Sequence, residues 1–408
     1  MDSYTGRVIA LIFVIGVFAT YILIIQKPLY VDEYAHFFTV SNFCRFDYSF
    51  PGFLTTIPGY HFFAGLFGYL TICTENSIRF FNVLVSLASI FVFYNICRQL
   101  GIKESKEKLL QLGLLPILFP FFFLIYTDVL SLLFVLSMFY FCLKENYLLS
   151  AIFGILSFVV RQNNVIWVVF TVAYILLENK GSLTEKIREF FKKESIKKTY
   201  PYLILFILAG IFIIKNGGFA VGDKDKHPLF FGPMNIYTLL FFFFWINLPE
   251  NIVNIRKIGS WLKDMNRRDL GFLVIISVLF FSFFILTFKI DHPYNDYGIY
   301  NYFLRNKILH FFDSSLILKS VFFLCVLYSI LSLNQVKLRE RKQYSVYLFS
   351  IIFLGMSWLI ENRYFIIPYV LINLFAMREN RTEKYLVVWY LLGIIIYMCL
   401  FYTSWTFW

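Results

Sequence analysis

Residues 7–25 read RVIALIFVIGVFATYILII, an apolar run behind a single Arg. Comparable runs recur at 78–97, 109–125, 128–143, 147–160, 165–178, 201–214, 234–248, 271–288, 316–333, 344–360, 364–377 and 385–402, with short polar segments between them. Most approach the length needed to cross ~30 Å of hydrocarbon, where only a helix can satisfy its own backbone. The pattern predicts an all-α, polytopic membrane protein with about 12–14 transmembrane helices, forming one domain over 1–408.

The stretch 58–74, PGYHFFAGLFGYLTICT, is apolar but short and rich in Gly. As a full span it would put the basic 98–108 loop outside, so it is expected to be a juxtamembrane or re-entrant helix within a first external loop at 26–77. The rest of an N-terminal module is placed at 78–178, and the C-terminal helices with their loops at 201–402. The first run is too long, with the wrong flanks, for a cleaved signal peptide, and is expected to stay as a span.

Composition agrees with this pattern: 59% of the 408 residues are hydrophobic, 22% aromatic and 15% charged, and the mean hydropathy is +0.70. That excludes an ordinary soluble domain. The net charge of +12 is not gathered into an aromatic-interleaved basic face, which argues against nucleic acid as a partner. About two-thirds of the Lys and Arg fall instead at Arg7, Lys144 and the loops 98–108, 179–199, 249–269, 335–343 and 377–384, which marks those positions as cytosolic. Within them EKIREFFKKESIKK (185–198) is expected to lie as an amphipathic helix on anionic membrane lipid.

The opposite side receives YVDEYAHFF (30–38), TTIPGY (55–60), YTD (126–128), RQNN (161–164), KNGGFAVGDKDKH (215–227), DHPYNDY (291–297) and ENRYF (361–365). Acids, amides, His, Arg and Gly thus collect at one mouth of the bundle, as in a membrane-embedded active site facing the trans compartment. Cys44 and Cys73 share the first external loop and either pair there or remain thiols. The sequon Asn380-Arg381-Thr382 falls on a loop assigned to the cytosol. No cluster has metal-ligand spacing and no Gly-rich loop of nucleotide-binding type occurs, so neither metal nor cofactor is expected and a nucleotide-sugar donor is disfavoured.

An Asp-Glu pair just after the first span, followed by a long external loop, resembles the GT-C class of glycosyltransferases. Thr55-Thr56-Ile57-Pro58-Gly59-Tyr60, Tyr126-Thr127-Asp128-Val129, Arg161 to Trp167, Asn216-Gly217-Gly218 with Val221-Gly222-Asp223, His292-Pro293, and Glu361 to Val370 are similar to one family in that class. It is the dolichyl-phosphate-glucose-dependent alpha-1,2-glucosyltransferases, which add the terminal glucose to the lipid-linked oligosaccharide in the endoplasmic reticulum. The blocks keep the family's order from about residue 28 to about 371. After His292-Pro293 the chain departs from the pattern: Asp296-Tyr297-Gly298-Ile299-Tyr300 follows a shorter stretch and lacks the family's Arg-His pair.

The resemblance implies a multi-pass protein of the endoplasmic reticulum membrane with a lumenal site, serving N-glycosylation. Its partners would be dolichyl phosphate glucose and a dolichyl-diphosphate-linked oligosaccharide. A beta-linked donor and an alpha-linked product imply inversion in one displacement, which needs a general base for the acceptor hydroxyl and donors for the leaving phosphate. Asp32 is the expected base. Glu33 points about 100° away on a helix and is assigned support or acceptor positioning, and His36 shares the face of Asp32.

For the donor, Arg161 and Arg363 are expected to bind phosphate, with snorkelling to headgroups as the plain alternative. Gln162 and Asn163 would contact sugar hydroxyls and His292 would line the pocket. Tyr60, Asp128, Asn216, Asp223, His227 and Asp296 are expected around the acceptor, although Asp128 also suits an N-cap and Asn216 an ordinary turn. Another polyprenyl-phosphate sugar or acceptor is the alternative reading. A transporter or channel regulator is a further one, disfavoured because the charges crowd one mouth and no repeat is seen.

Overall fold

The computed structural model describes residues 3–49, 51–177, 192–296, 298–299 and 302–402. Half of the segment expected as an amphipathic helix at 185–198, residues 185–191, lies outside the described residues, as do Tyr297 and Tyr300. The chain divides into two compact units, Met1–Gly113 with Leu118–Lys224, and Leu114–Ile117 with Asp225–Trp408.

The first unit contains α1 (Ser3–Ile24), α2 (Glu33–Phe43), α3 (Gly59–Leu70), α4 (Glu75–Gln99), α5 (Ser105–Gly113), α6 (Asp128–Leu143), α7 (Tyr147–Val160), α8 (Val165–Leu176), α9 (Lys193–Thr199) and α10 (Leu203–Asn216). At its centre α6 packs on α4 and α7, while α3 packs on α2, α4 and α7. Local chemistry sets the ends of these helices. Thr74 accepts a hydrogen bond from the Ser77 amide at the start of α4, and Glu75 and Arg98 match the two poles of its dipole. Asn146 caps α7 through the Leu149 amide at 3.1 Å. The helix expected within 58–74 is α3, whose 12 residues are too few to cross a bilayer. Cys44 and Cys73 form a disulfide, joining the end of α2 to the residues before α4.

The run 109–125 does not form the expected span. Pro116 and Pro120 lack the amide that a helix needs and crowd the preceding turn, so α5 ends at Gly113 and only a short 3-10 turn, Phe119–Phe122, follows. Phe121 to Tyr126 are almost wholly buried. Their apolar character therefore reflects contact with protein rather than lipid. The irregular backbone is satisfied by side chains: Asn82 donates to the Leu124 carbonyl and Glu33 accepts from the Ile125 amide at 2.8 Å.

The second unit contains α11 (Met234–Ile246), α12 (Leu248–Asp264), α13 (Arg267–Thr287), α14 (Ile308–Asp313), α15 (Leu316–Asn334), α16 (Ser345–Gly355), α17 (Ile366–Phe375) and α18 (Asn380–Tyr402). Pro249, in the first turn of α12, accompanies a 93° bend between α11 and α12. The unit's core is aromatic, with Phe241 stacked on Phe322 at 4.3 Å and Phe284 beside Phe288 and Phe323. A two-residue antiparallel bridge pairs Lys337 with Met377 and Leu338 with Ala376.

Among the described residues, five helical segments are long and apolar enough to cross a membrane, or six if α11 and α12 count as one bent span. They are Glu75–Gln99, Lys193–Asn216, Arg267–Thr287, Leu316–Asn334 and Asn380–Cys399, and four shorter apolar helices accompany them. The protein is thus an all-α, multi-pass membrane protein whose apolar runs divide into full-length spans and shorter helices.

In the first unit two loops lie side by side. Val221, Gly222 and Asp223 donate their amides to the carbonyls of Thr55, Leu54 and Gly52 at 2.9–3.0 Å. A Cβ on Gly222 would stand 2.0 Å from the Gly52 carbonyl oxygen, so only Gly permits this approach. Gly222→Ala is expected to separate the loops and destabilise the protein by ~1–3 kcal/mol, read as a lower thermal midpoint in detergent.

Candidate active site

The acidic pair after α1 divides its duties. Glu33 is fully buried and meets Arg79 of α4, itself 1% exposed, in a two-point pair: Nε to Oε1 at 3.0 Å and Nη2 to Oε2 at 2.7 Å. Glu33 also accepts the amides of Tyr30 and Ile125, each at 2.8 Å. Arg79 spends its remaining N–H groups on the carbonyls of Ile24, Lys27 and Pro28 at 2.9–3.1 Å. All five guanidinium donors and four carboxylate acceptor positions are thereby used. Glu33 supports the chain around it; positioning an acceptor would require an oxygen already committed.

Asp32 is half-buried at the N-cap of α2, with its amide directed at the Tyr126 hydroxyl at 3.2 Å. The preceding Val31 has a φ of +50°, a region that β-branched residues rarely adopt and that costs about 1–3 kcal/mol. The Glu33 bonds on either side hold it there. His36, one turn beyond Asp32, is buried between Tyr60 and Tyr126 edges and stacks on His61. His61 is completely buried, and burial first, then the neighbouring His36, keeps its protonation well below the usual histidine range. Tyr60 is buried with its hydroxyl on Asn82 Oδ1 at 3.2 Å, and burial drives its ionisation upward. It is a packing residue, not the acceptor contact expected of it.

The remaining first-unit residues brace loops. Arg161 pairs with buried Asp128 at the start of α6, so the two cancel in charge. Gln162 donates to the carbonyls of Thr55 and Phe219 at 2.7 and 2.8 Å and accepts from the Ile57 amide at 3.3 Å. That carboxamide, expected on a sugar, ties TTIPG to the 216–220 turn. Asn163 beside it is half-buried. Asn216 closes its own turn through the carbonyls of Gly218 and Ala220, with Gly217 at φ +71°. Asp223 is half-buried beside the paired loops.

The second unit gathers the other expected residues around Glu361. Arg305 Nη1 reaches Glu361 Oε1 at 3.1 Å and Arg363 Nη2 reaches Oε2 at 2.8 Å, so these three groups sum to one positive charge. Arg305 also donates to the Tyr294 carbonyl at 3.3 Å. His292 accepts from the Tyr294 amide at Nδ1 and meets the Lys226 carbonyl through Nε2 at 2.9 Å. Burial lowers its pKa to about 4, despite the Lys226 carbonyl, which leaves a neutral loop brace. His227 lies 5.5 Å from it, ring to ring. Asp296 is exposed and accepts the Gly298 amide at 2.9 Å, a local turn rather than a pocket wall.

Sequence reasoning missed Arg79, His61 and Arg305. Arg79 had a signal, being a lone Arg just inside an apolar run. His61 followed directly on TTIPGY. Arg305 and His310, from the segment after residue 302, attach to the 292–296 loop, where the sequence shows no Arg-His pair at 296–300.

Residues 26–374 match the family model described as the DIE2/ALG10 family. The chain is similar to the human Dol-P-Glc:Glc(2)Man(9)GlcNAc(2)-PP-Dol alpha-1,2-glucosyltransferase, with 24% identity across 88% of this chain and 85% of that protein. Proteins of the same name from Candida albicans and Drosophila melanogaster share 25% and 26% identity. They are covered over 92% and 90% of their lengths, across 95% and 92% of this chain. No solved structure matches the chain.

Removing one partner of the Glu33–Arg79 pair leaves a buried, uncompensated charge. Arg79→Met is expected to cost ~3–5 kcal/mol and to abolish a cooperative thermal transition. Glu33→Gln, which keeps the shape but loses the charge, is expected to fall between that variant and wild type.

Proposed function

The chain belongs to the DIE2/ALG10 family, and from that premise we propose that it transfers glucose from dolichyl phosphate glucose to a diglucosylated lipid-linked oligosaccharide. The product is the terminal alpha-1,2-linked glucose, made at the lumenal face of the endoplasmic reticulum for N-glycosylation. The relatives' shared name supplies both substrates, and coverage of most of each relative's length supports extending it to this chain.

The observation that carries the catalytic assignment is that Glu33, one acid of the pair, is fully committed to the protein itself. Glu33 has no acceptor position left for a substrate proton. Asp32 is half-buried at the start of α2, with its amide on the Tyr126 hydroxyl, and is assigned here as the carboxylate that meets the incoming hydroxyl. One displacement with inversion needs one base, since a phosphate leaves as a stable anion without a strong acid. Asp32 accepts the acceptor's proton as the new glycosidic bond forms and the bond to phosphate breaks.

The leaving phosphate needs fixed positive charge. In the first unit Arg161 is already balanced by Asp128. In the second unit Arg305 and Arg363 both reach Glu361, and their planar guanidiniums suit a phosphate oxygen pair. We assign them to a phosphate of a lipid-linked substrate.

With purified protein, dolichyl phosphate glucose and the diglucosylated acceptor, Asp32→Asn is expected to lower kcat about 10²–10⁴-fold with an unchanged thermal midpoint. Full activity in that variant removes Asp32 as base, and transfer from a mannosyl donor instead would move the chain to another reaction of the GT-C class. Arg363→Gln is expected to raise KM for the donor about tenfold or more, from loss of a charged hydrogen bond. An unchanged KM would leave Arg363 as a purely structural partner of Glu361.

A further inference from the structure

His36 and His61 are 6% and 0% exposed, with ring centroids 5.2 Å apart and planes inclined by 30°. His36 Nδ1 and His61 Nε2 stand 3.0 Å apart. A single hydrogen lies between two such nitrogens, so one donates and the other accepts. The second nitrogen of His61, Nδ1, is buried with no hydrogen-bond partner. A hydrogen placed there would be a buried N–H without an acceptor, the rarer kind of orphan. The hydrogen therefore belongs on His61 Nε2, directed at His36 Nδ1. His36 accepts at Nδ1 and, when neutral, carries its own hydrogen at Nε2.

This arrangement resists a charged His36. An imidazolium would hold a hydrogen on Nδ1 facing His61 Nε2, and His61 would have to move its own hydrogen to the orphan position. Tyr60 and Tyr126 meet His36 in T-shaped contacts. Glu33 on the same helix is matched by Arg79 of α4, and Asp128 at the start of α6 by Arg161. Asp32, the N-cap of α2, precedes His36 by one helical turn, and an imidazolium at that spacing would weaken it as a base.

We propose that His61 is a positioning residue that fixes the tautomer of His36 and keeps it neutral, so that His36 offers an Nε2 hydrogen without withdrawing basicity from Asp32. This rests on the reading of Asp32 as the base. It assigns a role to a residue in the first external loop that touches no substrate.

The test compares kcat between about pH 5.5 and 8 for the full-length wild type, His61→Gln, and the double variant His36→Gln with His61→Gln. A Gln carboxamide turns either way and offers its oxygen to a protonated His36 as readily as its N–H to a neutral one. Wild type is expected to show no acid limb in the ordinary histidine range near ~6.5. His61→Gln is expected to gain one, with kcat falling about tenfold per unit below it, and the double variant to lose it again. A His61→Gln profile parallel to wild type, whether equal in height or uniformly lowered, overturns the proposal, because a packing role alone moves no limb. Wild type without glucose transfer at any pH rejects the glucosyltransferase reading itself and this proposal with it.

Discussion

The two-point pair between Glu33 and Arg79 is the interaction on which the first unit depends. Removing both charges from water costs several kcal/mol per ion, and the cost is tolerable only because no donor or acceptor is left over. Arg79 fixes three carbonyls where the chain leaves α1, and Glu33 fixes the amides of Tyr30 and Ile125. Four separate segments are thereby held at one point. Asp32 is attached to that point by its own backbone, so the rigidity of the structural acid is passed to its neighbour. The strained Val31 is maintained in the same way.

A similar economy governs the loops. Irregular backbone in apolar surroundings must find partners within the protein, and here amide side chains provide them. Gln162 joins the 55–57 and 219 segments, Asn235 holds the carbonyls of Ser357 and Leu359, and Asn295 both donates to and accepts from the backbone of Ile360. These residues belong to or adjoin segments whose sequence suggests sugar binding. Several of them bind the protein's own backbone instead, and thereby determine where the loops that carry the site can stand.

Much of the helix pattern was legible because hydrophobic length is a strong signal: α6 and α7 occupy the residues that the apolar runs delimit. The failure at 109–125 has a physical reason. Burial in protein and burial in lipid select the same side chains, and only Pro116 and Pro120 hinted at the difference. For the site, proximity of Asp32 to His36 followed from helical spacing, and the Cys44–Cys73 pairing was one of two open outcomes. The partners Arg79, His61 and Arg305 were not legible, since each meets its contact across a sequence separation that no local pattern records. For Glu33 the sequence left support and acceptor positioning open, and for Gln162 it suggested a sugar: side-chain type gives capacity for hydrogen bonding, while only the fold shows where that capacity is spent.

Charge balance separates structural ion pairs from the group around Glu361. Arg79 has Glu33, Arg161 has Asp128, and Arg378 has Glu250; each pair is neutral and mostly buried. Arg305 and Arg363 share one carboxylate, and His292 beside them is held neutral by burial. Positive charge in a low-dielectric setting is expensive unless anions balance it. The proposed lipid-phosphate substrates are anions that would approach from the bilayer. A cluster kept by two guanidiniums, rather than by a titratable Lys or His, holds its charge at every physiological pH.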